Sequence, residues 1–308
     1  MSVMRALLLV ASQSRWLRER ANRYAFVKRS VARFMPGETL DDAVAAARQL
    51  DAKRLRTILT HLGENVRTAP EAEQVANHYL NVLEKLHAEN RETEISVKLT
   101  QLGLDLSSEL CERNVRRLFA AERPHRTLWI DMEAGTYVDA TLKIYEALLA
   151  DYSNAGICLQ AYLHRTSSDV ATLLSRKPSI RLVKGAYAEP PQIAIRRKEE
   201  IDANYLALAQ KLLRAQVTGD VQRTAFATHD RNLIQRITDF AAAESIPNTE
   251  VEVQMLYGIQ RAEQERLAAA GYQSGVLIAY GDFWYPWFVR RLAERPANLW
   301  LLLRNLTG

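Results

Sequence analysis

The chain has 308 residues, 48% of them hydrophobic and 25% charged, with a formal net charge of +5. These are the proportions of a soluble globular protein with ample length for a large core, built as two domains or as one barrel-sized unit. Cys111 and Cys158 stand far apart with no CxxC, and the histidines lack metal-ligand spacing. A disulfide scaffold, a thiolate site and a zinc site are therefore not expected, and the cysteine usage fits a reducing cytoplasm.

The positive charge is concentrated at the start. Arg5, Arg15, Arg18, Arg20, Arg23, Lys28, Arg29 and Arg33 face only Glu19 before Pro36, so the rest of the chain is slightly acidic. The apolar run Ala6–Ala11 is too short to cross a bilayer, and the arginines after it lack a convincing cleavage site for export. Trp16, Tyr24, Phe26 and Phe34 lie among these cations. Three readings stand: nucleic-acid binding, for which no known module accompanies the segment; a basic amphipathic helix on anionic lipid or on the body; and a solvated helix that caps the domain. Residues 1–45 are taken as an N-terminal helical arm and 46–308 as the main domain.

After Pro36-Gly37 the chain alternates between strand-like and helix-like segments. In order, the strands are expected at Thr57–Thr60, Ile95–Leu99, Leu128–Met132, Gly156–Tyr162, Ile180–Lys184, Thr224–Ala227, Val251–Met255 and Val276–Ala279. Amphipathic runs lie between them at Pro70–Glu89, Glu109–Ala121, Tyr137–Ala150, Ile193–Gln216, Arg231–Ala243 and Gln260–Ala270. Eight strands alternating with helices indicate the α/β class and a parallel (β/α)8 barrel of the TIM type. A doubly wound sheet is the rival, weakened by the lack of G-x-G-x-x-G after the first strand. The last helix, Asp282–Asn298, is loaded with aromatic residues followed by Arg290 and Arg291, and Pro286 is tolerated in its first turn.

Polar residues interrupt the strands near their C-terminal ends: Lys98, Asp131, Gln160, Arg181 and Gln254. Ser96 and Lys98 share one face of their strand, opposite Ile95, Val97 and Leu99; Trp129 and Asp131 share one face of theirs. Charges aimed into one interior must pair with each other or with a ligand, so the set points to a site at the barrel mouth. Parity separates two lysines: if Arg181 points inward, Lys184 points to the helices, leaving Lys98 as the better active-site lysine. Other residues stay open at this level. Arg290 and Arg291 with Glu294 make either a surface ion pair or a paired grip on one carboxylate. His229 either helps begin a helix beside Asp230 or touches a ligand.

The segments SVKLTQLG, LQAYLHRT, RLVKGAYAEP, FATHD, EVQMLYG and YGDFWYPWFVRRLAERPAN resemble the proline dehydrogenase family, close to its small monofunctional bacterial members. The likeness runs in order from about residue 54 to the C-terminus. It implies a flavoprotein barrel that holds FAD at the strand C-termini without a Rossmann motif. By motif position it implies a catalytic set of Lys98, Asp131, Arg290 and Arg291. Tyr187, Leu256, Leu277 and Trp287 would wall the substrate pocket, and Glu64 and Glu294 would gate it and orient the arginines. Gln160, Arg181, Val183, Gly185, Ala186, Ala227, Thr228, His229 and Gln254 would hold FAD, with Arg197 and Lys198 near its phosphates.

Ile201 stands where the family often has a threonine in the segment that grips the FAD phosphates, and two positions at the substrate pocket also depart from the family pattern. Its YxPxG stands here as Leu277-Ile278-Ala279-Tyr280-Gly281, and a tyrosine three residues before the arginine pair is Trp287. The reaction implied is oxidation of L-proline to Δ1-pyrroline-5-carboxylate, with electrons passed to a quinone and the product to an aldehyde dehydrogenase. The enzyme would be cytoplasmic, with the arm able to touch the membrane. Hydroxyproline or an N-substituted proline is the alternative substrate. A Schiff-base lyase using Lys98 is the rival chemistry, and a non-catalytic binding protein the rival class.

Overall fold

A computed structural model describes residues 31–63, 66–285, 288 and 289. Glu64, Trp287, Arg290, Arg291, Glu294 and most of the basic arm lie outside the described residues. Eight parallel strands close a barrel in chain order: β1 (Arg56–His61), β2 (Glu94–Lys98), β3 (Leu128–Asp131), β4 (Ala155–Gln160), β5 (Ser179–Val183), β6 (Arg223–Ala227), β7 (Glu252–Leu256) and β8 (Gln273–Tyr280). β8 pairs back onto β1, from Arg56 opposite Gly275 to His61 opposite Tyr280. Around the barrel run α1 (Leu40–Asp51), α2 (Ala69–Ala88), α3 (Ser108–Ala121), α4 (Val138–Leu149), α5 (Thr166–Leu173), α6 (Lys198–Val217), α7 (Arg231–Ala243) and α8 (Arg261–Ala269).

The two faces of each strand meet different environments. Ile95, Val97, Leu128, Ile130, Ile180 and Leu182 belong to the main apolar core, with helix residues such as Tyr79, Leu83, Val115 and Leu212. Removing each such side chain from water contributes roughly 1.5–3 kcal/mol, and this layer carries most of the stability. The inward face is sparse in apolar groups: Ile58, Trp129 and Ala225 form one small cluster, with Leu277 packed on it.

Local signals set the helix starts. Thr39 and Asp42 form a capping box at α1, and Thr68 and Glu71 form one at α2. The Asp230 carboxylate accepts from Asn232 N at 3.2 Å and caps α7.

Several expected boundaries change. α1 and α5 were not foreseen, and α1 runs through position 45, where the arm was taken to end. Its Ala43, Val44, Ala46 and Ala47 are buried in the main core, so the helix belongs to the barrel's outer layer. α6 begins at Lys198, not Ile193. Leu163 and Ala194 form an antiparallel bridge, and Ile195 N donates to Tyr162 O at 2.8 Å, so residues before 198 are committed to the β4 loop. β7 is shifted by one residue toward the C-terminus and β8 is longer at both ends than expected.

The base of the arm is part of the packed body. Val31 and Met35 share an apolar cluster with Leu62, Ala279, Trp284, Tyr285, Phe288 and Val289. The Trp284 indole N–H donates to Glu38 Oε1 at 2.9 Å. Among the described residues, no helix is long and apolar enough to cross a membrane.

Candidate active site

Register decides which side chains face the barrel interior. Lys98 stands opposite Asp131, Cys158 opposite Arg181, and Gln160 opposite Val183, with Val183 in turn opposite Ala227 and Ala227 opposite Gln254. Because side chains alternate, these belong to the same face as Ser96 and Trp129, one strand repeat below. Leu256 and Leu277 are register partners across β7 and β8. Lys184 goes the other way, as parity requires: its Nζ donates to Asp202 at 2.5 Å and to Asp230 at 2.9 Å, both on the helix side.

The centre of the mouth is a compact charged network. Arg181 is only 3% exposed. Its Nη1 donates to Ser96 Oγ at 3.0 Å and to Asp131 Oδ1 at 3.1 Å. Ser96 Oγ in turn donates to Asp131 Oδ1 at 2.8 Å, so one hydroxyl uses both its proton and a lone pair. The guanidinium carbon lies 4.5 Å from the centre of the Trp129 ring. Arg181 Nε and Nη2 are buried and have no hydrogen-bond partner among the described residues.

Two glutamines complete the lining. Gln160 Nε2 donates to Met132 O at 3.3 Å and Glu133 O at 3.2 Å; Gln254 Nε2 donates to Glu252 Oε1 at 2.7 Å. Each amide nitrogen is thereby used, and the Oε1 of each is buried with no partner among the described residues. Nearby, Glu133 accepts from Thr100 N at 3.1 Å and Thr100 Oγ1 at 2.7 Å. Burial raises its pKa, against those bonds and the field of Lys98, which work to lower it.

The loops after β5 and β6 hold the remaining predicted residues. Gly185 has φ +111°, and a Cβ there would fall 2.0 Å from Tyr162 Cδ1, so only glycine fits this bend. Glu189 Oε1 accepts from Gly135 N at 2.6 Å, tying the β5 loop, with Ala186 and Tyr187, to the loop after β3. Thr228 Oγ1 accepts from Asp230 N at 3.2 Å. His229 Nε2 accepts from Leu256 N at 3.0 Å, which assigns the ring proton to Nδ1. Arg197 and Lys198 are exposed at the start of α6; Arg197 pairs with Glu200 at 3.3 Å, and Lys198 pairs with Asp202 and Asp230.

A cavity also lies at the other end of the barrel. About 430 Å³ opens at the N-terminal side of the strands, lined by Arg56, Glu94, Arg126, Arg223 and Glu252 among others. Its charges are mostly paired with each other, and it contains none of the residues singled out from the sequence. We assign the functional site to the mouth, where the residues singled out from the sequence coincide with buried donors and acceptors unmet among the described residues. Arg126 Nε and Nη1 are unmet at the floor too, but no such residue accompanies them.

A family model described as proline dehydrogenase matches residues 43–300. The chain belongs to the proline dehydrogenase family. Proline dehydrogenase 1 of Bacillus subtilis strain 168 is 34% identical over 305 residues, covering 99% of each chain. The proline dehydrogenase of Deinococcus radiodurans is 34% identical over 280 residues, covering 89% of each. Among solved structures, proline utilization A from Bdellovibrio bacteriovorus, inactivated by N-propargylglycine, superposes with a TM-score of 0.79 at 25% identity. That match covers 87% of this chain and 33% of the other, so the chain spans about a third of that larger protein.

Sequence reasoning passed over two residues at the barrel mouth. Ser96 and Trp129 were placed on the inward face but given no role, and both contact Arg181. The signal was present in the parity of ISVK and LWID, but a serine and a tryptophan in strands read most simply as packing.

Proposed function

We propose that this protein oxidises L-proline to Δ1-pyrroline-5-carboxylate with FAD held across the barrel mouth, and passes the electrons to a quinone. The observation that carries the reading is the near full-length match to curated proline dehydrogenases. The donor set of the mouth supports the cofactor. Arg181 Nε and Nη2 offer unmet donors, while Gln160 Oε1 and Gln254 Oε1 offer unmet acceptors; an isoalloxazine edge alternates acceptors with an N–H. Bound FAD would supply a hydride acceptor.

The protein's own groups bind and orient the substrate. Lys98, with Arg290 and Arg291, would hold the proline carboxylate, and their positive field disfavours the protonated amine. The amine must be neutral, since only its lone pair can drive hydride departure from the adjacent carbon. Asp131 balances that cationic field while holding Arg181, and Leu256 and Leu277 would wall the ring. Glu64 and Glu294 are proposed to gate and orient this grip, and Tyr187 and Trp287 to close the pocket. Val183, Gly185, Ala186, Ala227, Thr228 and His229 would seat the cofactor. Lys198 already faces two carboxylates, so Arg197 is the freer partner for the phosphates.

An oxidoreductase family sets aside the Schiff-base reading of Lys98. The basic arm is proposed to bring the enzyme to an anionic membrane surface where quinone is available, with the product passed to an aldehyde dehydrogenase.

The test is anaerobic addition of L-proline to purified protein. A yellow protein whose visible flavin band bleaches supports the reading. Bleaching by hydroxyproline or an N-substituted proline, but not by proline, would move the substrate to that class. A colourless protein indifferent to FAD would overturn the assignment. N-propargylglycine, which inactivated the Bdellovibrio protein, should cause time-dependent loss of activity that proline slows.

A further inference from the structure

We infer that Ser96 and Trp129 are positioning residues, which fix the Arg181 guanidinium so that its Nε and Nη2 face the bound cofactor. This rests on the FAD reading above.

A guanidinium can be held by its edges and by its faces. In Arg181 one nitrogen, Nη1, is tied to both Ser96 and Asp131, and the plane lies over the Trp129 ring. Asp131 alone could not fix the rotation about the Cζ–Nη1 direction. Ser96 adds a second acceptor for Nη1 and simultaneously donates to the carboxylate, so the three groups lock each other. Trp129 then sets the tilt of the plane.

Trp129 is itself held on three sides. Its Nε1–H donates to Glu94 Oε2 at 2.8 Å, and a second guanidinium, Arg223, lies 5.2 Å from the ring centre. Across the sheet its register partner is Gly156, where a Cβ would come within 2.6 Å of the ring. The absent side chain at 156 makes the space the indole occupies. Burying two charged N–H groups that lack a partner among the described residues is costly, and at the mouth, on the face shared with Lys98 and Asp131, a bound ligand would meet them.

The test uses holoenzyme carrying Ser96→Ala, Ser96→Thr, Trp129→Phe or Trp129→Leu. The readouts are FAD content, flavin midpoint potential, and kcat and KM for proline. A guanidinium held against the flavin stabilises the added charge of its reduced form. Ser96→Ala and Trp129→Leu should therefore keep FAD, move the midpoint potential negative, and lower kcat about ten- to a hundredfold, with KM changed less than about twofold. Ser96→Thr, which keeps the hydroxyl, and Trp129→Phe, which keeps an aromatic face, should recover most of the potential. Ser96→Ala with wild-type potential and kcat, or with lower thermal stability alone, would overturn the inference.

A wild-type protein that takes up no FAD would instead sink the functional reading. The positioning is then read by ¹⁵N NMR of the Arg181 side chain in that same protein. Slow rotation in wild type that is released by Ser96→Ala supports it, and equal mobility in both overturns it.

Discussion

Two arginines, Arg181 buried and Arg223 half-buried, lie near the same indole at opposite ends of the barrel interior, and they are treated differently. Arg223, at the floor, donates from Nε and Nη2 to Glu252 at 2.7 and 2.8 Å and from Nη1 to Glu94 and Thr127, so every nitrogen is used. Among the described residues, Arg181, at the mouth, bonds through Nη1 only. Burial opposes the charged form of Arg223, but Glu252 and Glu94 outweigh it and raise its pKa. The Arg223 cluster is saturated, whereas the Arg181 cluster leaves two donors unmet among the described residues. The contrast holds for these two arginines and not for the ends as wholes, since Arg126 Nε and Nη1 at the floor are also buried without a hydrogen-bond partner among the described residues.

The largest effect should come from the floor. Arg223→Met would remove the cation bonded to both Glu94 and Glu252, leaving only the more distant field of Arg56 on Glu252, and should cost about 3–5 kcal/mol in chemical denaturation. The contrasting change is Arg181→Met. It removes unmet donors and leaves Asp131 with Ser96, so apo-protein stability should shift by no more than about 1 kcal/mol, while turnover falls about 10²- to 10³-fold. If both variants lost stability equally with similar residual turnover, the functional difference between the two ends would be lost.

Much of this contrast was legible in the sequence. Alternation in ISVK and LWID put Lys98 and Asp131 inside, and the spacing within RLVK sent Lys184 to the helices, where it meets Asp202 and Asp230. The barrel followed from the regular return of such segments. What the sequence hid was whatever depends on register between strands. Nothing local to Gly156 announces that Trp129 lies opposite, nor does FATHD reveal that His229 reaches the backbone of Leu256. The start of α6 was misplaced because Ile193–Ile195 has helical composition but is claimed by a backbone pairing with the β4 loop. α1 had its signal, Thr39 followed by Asp42, yet its alanine-rich body was assigned partly to the arm.

Gly156→Ala tests the middle of the barrel, between the two arginines. The added methyl would press on Trp129 and Thr127 side chains, each within 2.6 Å of its ideal position, and should cost about 1–3 kcal/mol of stability. Because the displaced indole also supports Arg181, a flavin potential shifted in the same direction as in Trp129→Leu should accompany the loss. Destabilisation with an unchanged potential would confine Trp129 to packing.

The smallest effect is expected at the rim, where burial favours the neutral form of two half-buried histidines. His61 and His78 have ring centres 4.2 Å apart, and His78 Nε2 is 2.8 Å from the Tyr280 hydroxyl. Burial, then the neighbouring His78, lowers the His61 pKa to about 4, with Lys98 adding to the shift and Asp282 opposing it. In the unfolded chain an imidazole titrates near 6.5. Between those values the unfolded state binds a proton that folded His61 refuses, so stability should rise with pH across the window and fall as pH drops from about 6.5 toward about 4. Below the folded value both states are protonated and this contribution is gone. Thermal unfolding midpoints measured across that range should show a shallower slope in His61→Gln than in wild type. The test belongs to this rim variant and not to Arg223→Met, which would remove the charge that, against the opposing effect of burial, holds the Glu252 carboxyl below its ordinary value, and so add a pH dependence of its own at the floor. An unchanged slope in His61→Gln would mean that the rim histidine does not carry the effect.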